Sequence, residues 1–280
     1  MSGKFYVVAT PIGNLNDITY RAVDIFKSVD LIASEDTRHT QGLLSHFSIE
    51  KKQFAVHQHN EKASAQKIIE YLKDGKHIAL VSDAGTPNIS DPGGLIVKEV
   101  AAAGFDIIPI PGVSAVTTAY SVSGMVHTSF YFYGFLPTTS NQRIKLFESL
   151  QAQSCPMIFY EAPHRIIKTL NDMADFFGNQ HEIVVARELT KTFESIYRGE
   201  ISKVKETVES DSNFQKGEFV ILVSPIHHEK KELLTEDQHR ILKILLNHMP
   251  TNAAVKLGVE ILNINKNYLY DEALKIKKDG

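Results

Sequence analysis

The stretch from Ile78 to Gly94, IALVSDAGTPNISDPGG, constrains the fold more than any other part of the chain. Ile78-Ala79-Leu80-Val81 is a short apolar run with polar neighbours, the pattern of a strand buried on both faces. The run stops at Ser82-Asp83. Gly85, Thr86, Pro87, Asp91, Pro92, Gly93 and Gly94 then make a backbone that turns and presents amides and small side chains. The apolar segment from Leu95 to Val100 reads as a helix. Strand, shaped loop and helix put the loop at the carboxyl end of a sheet strand, where open α/β sheets bind ligands. Ordinary connections of this kind run about 2–6 residues. This one is longer, and we read it as functional.

The neighbouring segments repeat the theme. Phe5–Ala9 reads as a strand running into the turn-rich Thr10–Leu15, and Asp17 or Thr19 is placed to cap a helix reaching Ser28. Leu31–Ala33 and Phe54–Val56 read as strands, Thr40–His46 and Glu61–Leu72 as helices, the latter closed by Gly75. Phe105–Ile110 is a further strand, and Gly112-Val113-Ser114-Ala115 opens a small-residue helix. Alternating strands and helices argue for a mostly parallel sheet covered by helices. If their strands are neighbours, the loops Thr10–Leu15, Ser82–Gly94 and Pro111–Ala115 converge on one edge.

A boundary falls at Gly124–Ser129. Beyond it the strands Phe130–Phe135, Met157–Tyr160, Glu182–Ala186, Phe193–Tyr197 and Glu218–Val223, with helices over Asn141–Ala152 and up to Phe177, indicate a second, mixed α+β unit. From Leu233 onward three apolar-faced segments, with Thr251 capping the second and Asn265 starting the third, indicate a small helical appendage. The expected division is residues 1–124, an α/β domain with a mostly parallel sheet; 125–228, an α/β domain with a mixed sheet; and 229–280, a helical extension.

Composition narrows the function. A net charge of −3 gives no overall basic field, so a nucleic-acid partner needs a local basic patch. Cys155 is the only cysteine, which excludes an intramolecular disulfide and a cysteine-rich metal site. No run approaches the roughly 20 apolar residues of a membrane span, and the N-terminus lacks signal-peptide organisation; a cytoplasmic protein is expected. The glycine-rich dinucleotide fingerprint and the P-loop are both absent. Gly112-Val113-Ser114-Ala115-Val116 is similar to a nucleophile elbow but has Val116 where the turn needs glycine. His39, His46, His57 and His59 have no carboxylate spaced to complete a known metal site, and no metal is expected.

VATPIGNL, ASEDTRHT, LVSDAGTPNISDPG, PIPGVSA, YEAPHR and ARELTK, in this order, resemble the tetrapyrrole-methylase-like (class III) S-adenosylmethionine-dependent methyltransferases. The likeness runs from about Lys4 to Val223. Corrin and porphyrin methylases carry G-D-P where this chain has Ser82-Asp83-Ala84; the long Gly85–Gly94 segment and the EDTR, YEAPHR and ARELTK motifs resemble the RNA-modifying branch, as does the helical tail. The resemblance implies two α/β domains with a cleft between them, a homodimer, and S-adenosylmethionine folded in the cleft. Carried over, Asp83, Ala84, Gly85 and Thr86 line the cofactor, Ser114 and Ala115 meet it from the next loop, Tyr160 and Ala186 contact it from the second domain, and Pro11 borders the cleft. The implied reaction is 2′-O-methylation of a cytidine in the decoding region of 16S rRNA, on the assembled small ribosomal subunit.

Such a transfer needs the acceptor oxygen, methyl and sulfur in line, so positioning supplies most of the acceleration. A ribose hydroxyl is a poor acid, and a base or a positive charge helps its proton leave. Glu35, Asp36, Glu161, His164, Glu188 and Lys191 all sit at expected strand ends. The catalytic candidates are Lys191, as a lysine desolvated beside arginines with a lowered pKa, then Glu188, with Arg187 beside them. Arg38, His164, Arg165 and Arg198 are the candidate RNA contacts, and Arg187 belongs to the same basic patch. The alternative for these arginines is salt bridging to Glu35, Asp36, Glu161 and Glu188. Two other readings remain: a methylase of a small tetrapyrrole, and a non-catalytic ribosome-binding factor on the same fold.

Overall fold

The structure, a computed structural model, describes residues 2–226, 234–262, 264 and 266–278. The chain divides into two compact units, Met1–Ile226 and His227–Gly280.

The first unit carries two five-stranded sheets. Strands β1 (Phe5–Val8), β2 (Leu31–Ser34), β3 (Lys52–Ala55), β4 (Ile78–Val81) and β5 (Ile107–Ile110) form a parallel sheet in the order β3-β2-β4-β1-β5. Period-two alternation divides β4 between two cores. Ile78 and Leu80 pack with Ile68 and Leu72 of α3 (Glu61–Lys73) and Ile96 and Val100 of α4 (Gly94–Ala102). Ala79 and Val81 pack on the other face with Phe26 of α1 (Tyr20–Ser28) and Leu44 of α2 (Thr37–His46).

Because β1 lies between β4 and β5, the three glycine- and proline-rich loops do emerge side by side. Two of them are tied: Thr10 and Gly85 exchange backbone hydrogen bonds of 2.8 and 3.0 Å. Thr19, not Asp17, caps α1, its hydroxyl accepting from the Ala22 N–H at 3.1 Å. Helix α2 starts at Thr37, before the expected Thr40, because the Asp36 carboxylate accepts from the Arg38 N–H at 2.8 Å.

The second sheet has β6 (Tyr131–Phe135), β7 (Met157–Glu161), β8 (Glu182–Arg187), β9 (Ser195–Glu200) and β10 (Phe219–Val223) in the order β6-β7-β10-β8-β9. Only β6 and β7 pair in parallel. One face is covered by α6 (Ser140–Leu150), α7 (Ile166–Phe177) and α8 (Ile201–Ser210), whose Phe147, Leu170 and Val204 meet Phe159, Val185 and Ile221. Helix α8 was not expected; Ile201, Val204 and Val208 are its buried stripe. The other face, with Ile158, Val184, Ala186 and Val220, packs on Ile12 and on Val116 and Ala119 of α5 (Ala115–Ser121).

In the second unit, α9 (Glu236–His248), α10 (Thr251–Leu262) and α11 (Lys266–Lys278) enclose Leu242, Val255, Leu269 and Ala273. Thr235 and Gln238 make a capping box on α9. Thr251 is the first residue of α10 rather than its cap; the Pro250 carbonyl accepts from the Ala253 and Ala254 N–H groups, both at 2.9 Å. Leu233, Asn265 and the expected boundary at 228/229 lie outside the described residues.

Candidate functional site

Two adjoining cavities open where the three loops of the parallel sheet meet the second sheet. The first, about 380 Å³, is lined by Asp83, Ala84, Gly85, Thr86, Ser114, Ala115 and Tyr160, with Glu35, Asp91 and Glu218. The second, about 470 Å³, is lined by Thr10, Pro11, Ile12, Gly13, Arg38, His39 and Lys191. Ile12, Asp83, Ala84 and Glu218 belong to both, so they form a common wall.

The shaped loop is held from several sides. Asp83 Oδ1 accepts from the Asp36 N–H at 2.9 Å, joining the ends of β4 and β2. The Thr86 hydroxyl donates to the Val113 carbonyl at 3.0 Å, joining the loop to the entry of α5. At the far end, Glu61 accepts from the N–H groups of Gly93 and Leu95 at 2.9 and 3.1 Å and so fills the N-terminus of α4.

The first cavity is acidic. Burial, then the charge of Asp83, raises the Glu35 carboxyl above its ordinary range, against a backbone hydrogen bond. Burial pushes Asp91 up to about 6; Ser82 hydrogen-bonds its charged form and opposes the shift, while Glu35 and Asp83 add to it. Tyr160 is pushed up to about 12, first by burial and then by Asp91, although Ser114 hydrogen-bonds it.

On the wall of the second cavity, Lys191 sits between two carboxylates, of which Glu218 also lines the cavity. Lys191 Nζ donates to Glu188 Oε1 and to Glu218 Oε2, each at 2.9 Å. Glu188 and Glu218 are also joined through their backbones, and the Glu218 N–H donates to Glu188 Oε1 at 3.0 Å. Room for this comes from two glycines: a Cβ on Gly13 would lie 2.4 Å from Lys191 Cγ, and one on Gly217 would lie 2.4 Å from Glu188 Cγ. Glu188 and Thr190 hold φ of +50° and +66°, unusual for residues with a Cβ. The Thr190 hydroxyl accepts from the Asn14 N–H at 3.2 Å, closing the loop of one sheet onto the other.

The lowered pKa expected for Lys191 is not found. Burial pulls it down, but hydrogen bonds and charge from Glu188 and Glu218 more than reverse this, and it stands above the ordinary value. Burial pushes Glu188 up, but Lys191 and the Glu218 backbone outweigh it and hold the carboxyl below its ordinary range.

The other expected residues scatter. Arg187 lines neither cavity; its guanidinium donates to the carbonyls of Lys216, Phe193 and Asn213 at 2.7–3.0 Å, on the helix-covered side. Ala186 is buried in the opposite sheet face, behind the cavities. Pro11 borders the second cavity rather than the first. Arg38 is exposed and ion-paired to Asp36 at 3.1 Å. Arg165 pairs with the buried Glu161 carboxylate at 2.6 Å. His164 borders a separate surface depression with Lys168 and Lys216. Arg198 donates to the Val122 carbonyl. Salt bridging therefore accounts for Arg165 and engages Arg38 and Lys191. His57 and His59 have ring centres 6.0 Å apart, and among the described residues no group of three or more ligating side chains is arranged for a metal.

Asp91 and Glu218 were not anticipated. Asp91 reads as a turn residue in Ser-Asp-Pro-Gly, and Glu218 as the polar start of a strand. For Asp91 the available signal was position, inside the loop already read as functional; for Glu218 the sequence offered none.

A small-molecule cavity at the carboxyl edge of a parallel sheet, faced by a second sheet, defines a ligand-binding α/β fold of the open-sheet class. The chain belongs to the tetrapyrrole (corrin/porphyrin) methylases: residues 4–205 match that family, and residues 232–277 match the family described as the RsmI C-terminal HTH domain. It is similar to ribosomal RNA small subunit methyltransferase I of Vibrio cholerae, 47% identical over 270 residues, 96% of this chain and 94% of that protein. The protein of the same name from Neisseria meningitidis serogroup B is 44% identical over 277 residues, 99% of this chain and 95% of that one. Uroporphyrin-III C-methyl transferase from Thermus thermophilus, solved in complex with S-adenyl homocysteine, shares the fold at TM-score 0.54 and 14% identity, over 79% of this chain and 97% of that one. This chain is a methyltransferase of that family.

Proposed function

We propose that this protein transfers a methyl group from S-adenosylmethionine to ribosomal RNA of the small ribosomal subunit, and that the acceptor is the 2′-hydroxyl of a cytidine in the decoding region of 16S rRNA. The observation that carries the reading is the pair of cavities with a common wall at Asp83, Ala84 and Glu218. One is acidic and sized for a small cofactor; the other offers Arg38, His39 and Lys191 to a polyanion. The relatives' shared name supports rRNA as the acceptor.

The first cavity fits the cofactor chemically. Its volume of about 380 Å³ falls among small-molecule sites. Glu35, Asp83 and Asp91 complement a sulfonium and an ammonium, and a cation there offsets the burial cost and the added repulsion from Glu35 and Asp83 that raise Asp91. S-adenosylmethionine supplies an activated methyl whose leaving group is a neutral thioether. Asp83–Thr86, Ser114, Ala115 and Tyr160 hold the cofactor, Pro11 borders the acceptor side, and Ala186 backs the wall.

Lys191 serves as a fixed positive charge that favours ionisation of the acceptor hydroxyl, and Glu188 keeps it in place. Arg38, whose side chain is 90% exposed, contacts phosphate. Arg187 and Arg165 support the fold. The family resemblance further suggests a homodimer acting in the cytoplasm.

The test is transfer of radiolabelled methyl from S-adenosylmethionine to small ribosomal subunits from a strain lacking this protein, with wild type and Asp83→Ala side by side. Label at an alkali-resistant linkage in 16S rRNA with wild type alone is the expected result. Label in a corrinoid and none in rRNA would replace the reading with the tetrapyrrole one.

A further inference from the structure

We propose that Glu218 is the proton acceptor of the reaction, an inference that rests on the methyl-transfer reading above. Among the described residues, Glu218 is the one carboxylate that lines both cavities and also bonds the Lys191 ammonium, at 2.9 Å. Its side chain is 77% exposed, whereas that of Glu188 is 17% exposed and is already engaged by Lys191 and by the Glu218 N–H. Both bonds to Glu188 fall on its Oε1, so each carboxylate keeps a second oxygen; what sets Glu218 apart is that it lines both cavities and is open to an incoming hydroxyl, whereas Glu188 lines neither. Asp83, the other carboxylate shared by the cavities, has Oδ1 committed to the Asp36 N–H.

The surrounding construction serves this one side chain. Gly217 leaves space for Glu188 directly beneath it, the Glu188–Glu218 backbone pair fixes where the side chain departs, and Lys191 draws one oxygen toward itself. The acceptor O–H bond breaks toward the other Glu218 oxygen as the oxygen–methyl bond forms and the carbon–sulfur bond breaks. The proton ends on Glu218, the electron pair of the broken bond on sulfur, and the charge balances because a sulfonium and a carboxylate become a thioether and a carboxylic acid. Lys191 is then a positioning residue for Glu218 as well as a charge near the acceptor.

The experiment is single-turnover methylation of small subunits at saturating cofactor with wild type, Glu218→Gln, Lys191→Met and the double variant, alongside calorimetric cofactor binding. Glu218→Gln keeps the backbone bonds to Glu188 and is expected to lower the rate about 10²-fold or more, the usual share of a general base, with cofactor affinity within about threefold. In the Lys191→Met background it is expected to lower the rate by at least about tenfold again, since a carboxylate that only held Lys191 would have nothing left to lose. No further loss in that background, or a defect confined to cofactor affinity, overturns the proposal. Methylation by both wild type and Glu218→Gln at similar rates overturns the proton-acceptor role alone; no methylation of subunits by wild type overturns the functional reading and this inference with it.

Discussion

Arg165 lies in the motif Tyr160–Arg165 and reads from sequence as a phosphate contact, yet its guanidinium bonds a carboxylate with no solvent exposure. Glu161 is 0% exposed and Arg165 13%, with 2.6 Å between them. Glu161 also accepts from the Ala162 N–H at 2.7 Å and from the Thr169 hydroxyl at 2.5 Å. Arg165→Met keeps the apolar stem and removes the charge. Breaking a buried pair from one side costs about 3–5 kcal/mol; the two surviving hydrogen bonds hold the loss near the lower end, about 3 kcal/mol. For a unit of this size each kcal/mol moves Tm by about 2–4 °C, so a fall of about 6–12 °C is expected in the transition of the first unit, followed by calorimetry. Adding Glu161→Gln removes the stranded charge and should recover more than half. A fall under about 2 °C, or strictly additive variants, would refute the reasoning. Subunit binding supplies an independent check: Arg38→Ala should lower the salt slope by about one, and Arg165→Met should leave it unchanged.

Gly217→Ala should both destabilise and slow the enzyme: φ is +96° and the new methyl would meet Glu188. The backbone term alone is about 1–2 kcal/mol, read as a Tm loss of about 2–8 °C, and unchanged melting and turnover would contradict it. Asp91, raised from 3.8 to about 6 by burial, costs the cofactor-free protein stability above pH 6, and that cost fades as pH falls toward 4. Asp91→Asn should therefore raise Tm at pH 8, with the gain shrinking between pH 6 and 4, while wild-type cofactor affinity falls as pH drops through about 6; melts and calorimetry across this range decide. Glu61→Ala strands the N–H groups of Gly93 and Leu95 and should cost about 1 kcal/mol as a lost cap, visible as faster hydrogen exchange at the start of α4, with Glu61→Gln milder.

Convergence of the three loops was legible because buried strands and turn residues are strong local signals. Strand order was not, since it depends on which strands meet after collapse. The tail's three apolar faces were equally plain, whereas α8 was missed between two polar stretches. At the site, residue type was informative and direction was not. Ala186 and Arg187 are consecutive on β8, so they point to opposite faces. With Ala186 toward the first sheet, Arg187 has to enter the helix-covered side, where the Asn213 and Lys216 carbonyls receive it. The same parity separates Tyr160 from the Glu161 carboxylate. Lys191 lines the second cavity, but its pKa is raised by Glu188 and also by Glu218, a neighbour 27 residues away in sequence that no local pattern announces.

The plug that Glu61 forms in α4 has a consequence for selectivity. Helix N-termini after glycine-rich loops ordinarily attract phosphate. Here the protein's own carboxylate occupies that position, and Glu35, Asp83 and Asp91 line the cavity beyond it. A phosphorylated nucleotide would meet repulsion at every point where a dinucleotide-binding loop offers welcome, while a cationic tail meets three acids. On the proposed reading, this edge of the sheet disfavours phosphorylated ligands by charge, and Glu61 contributes by filling the helix end although it does not line the cavity.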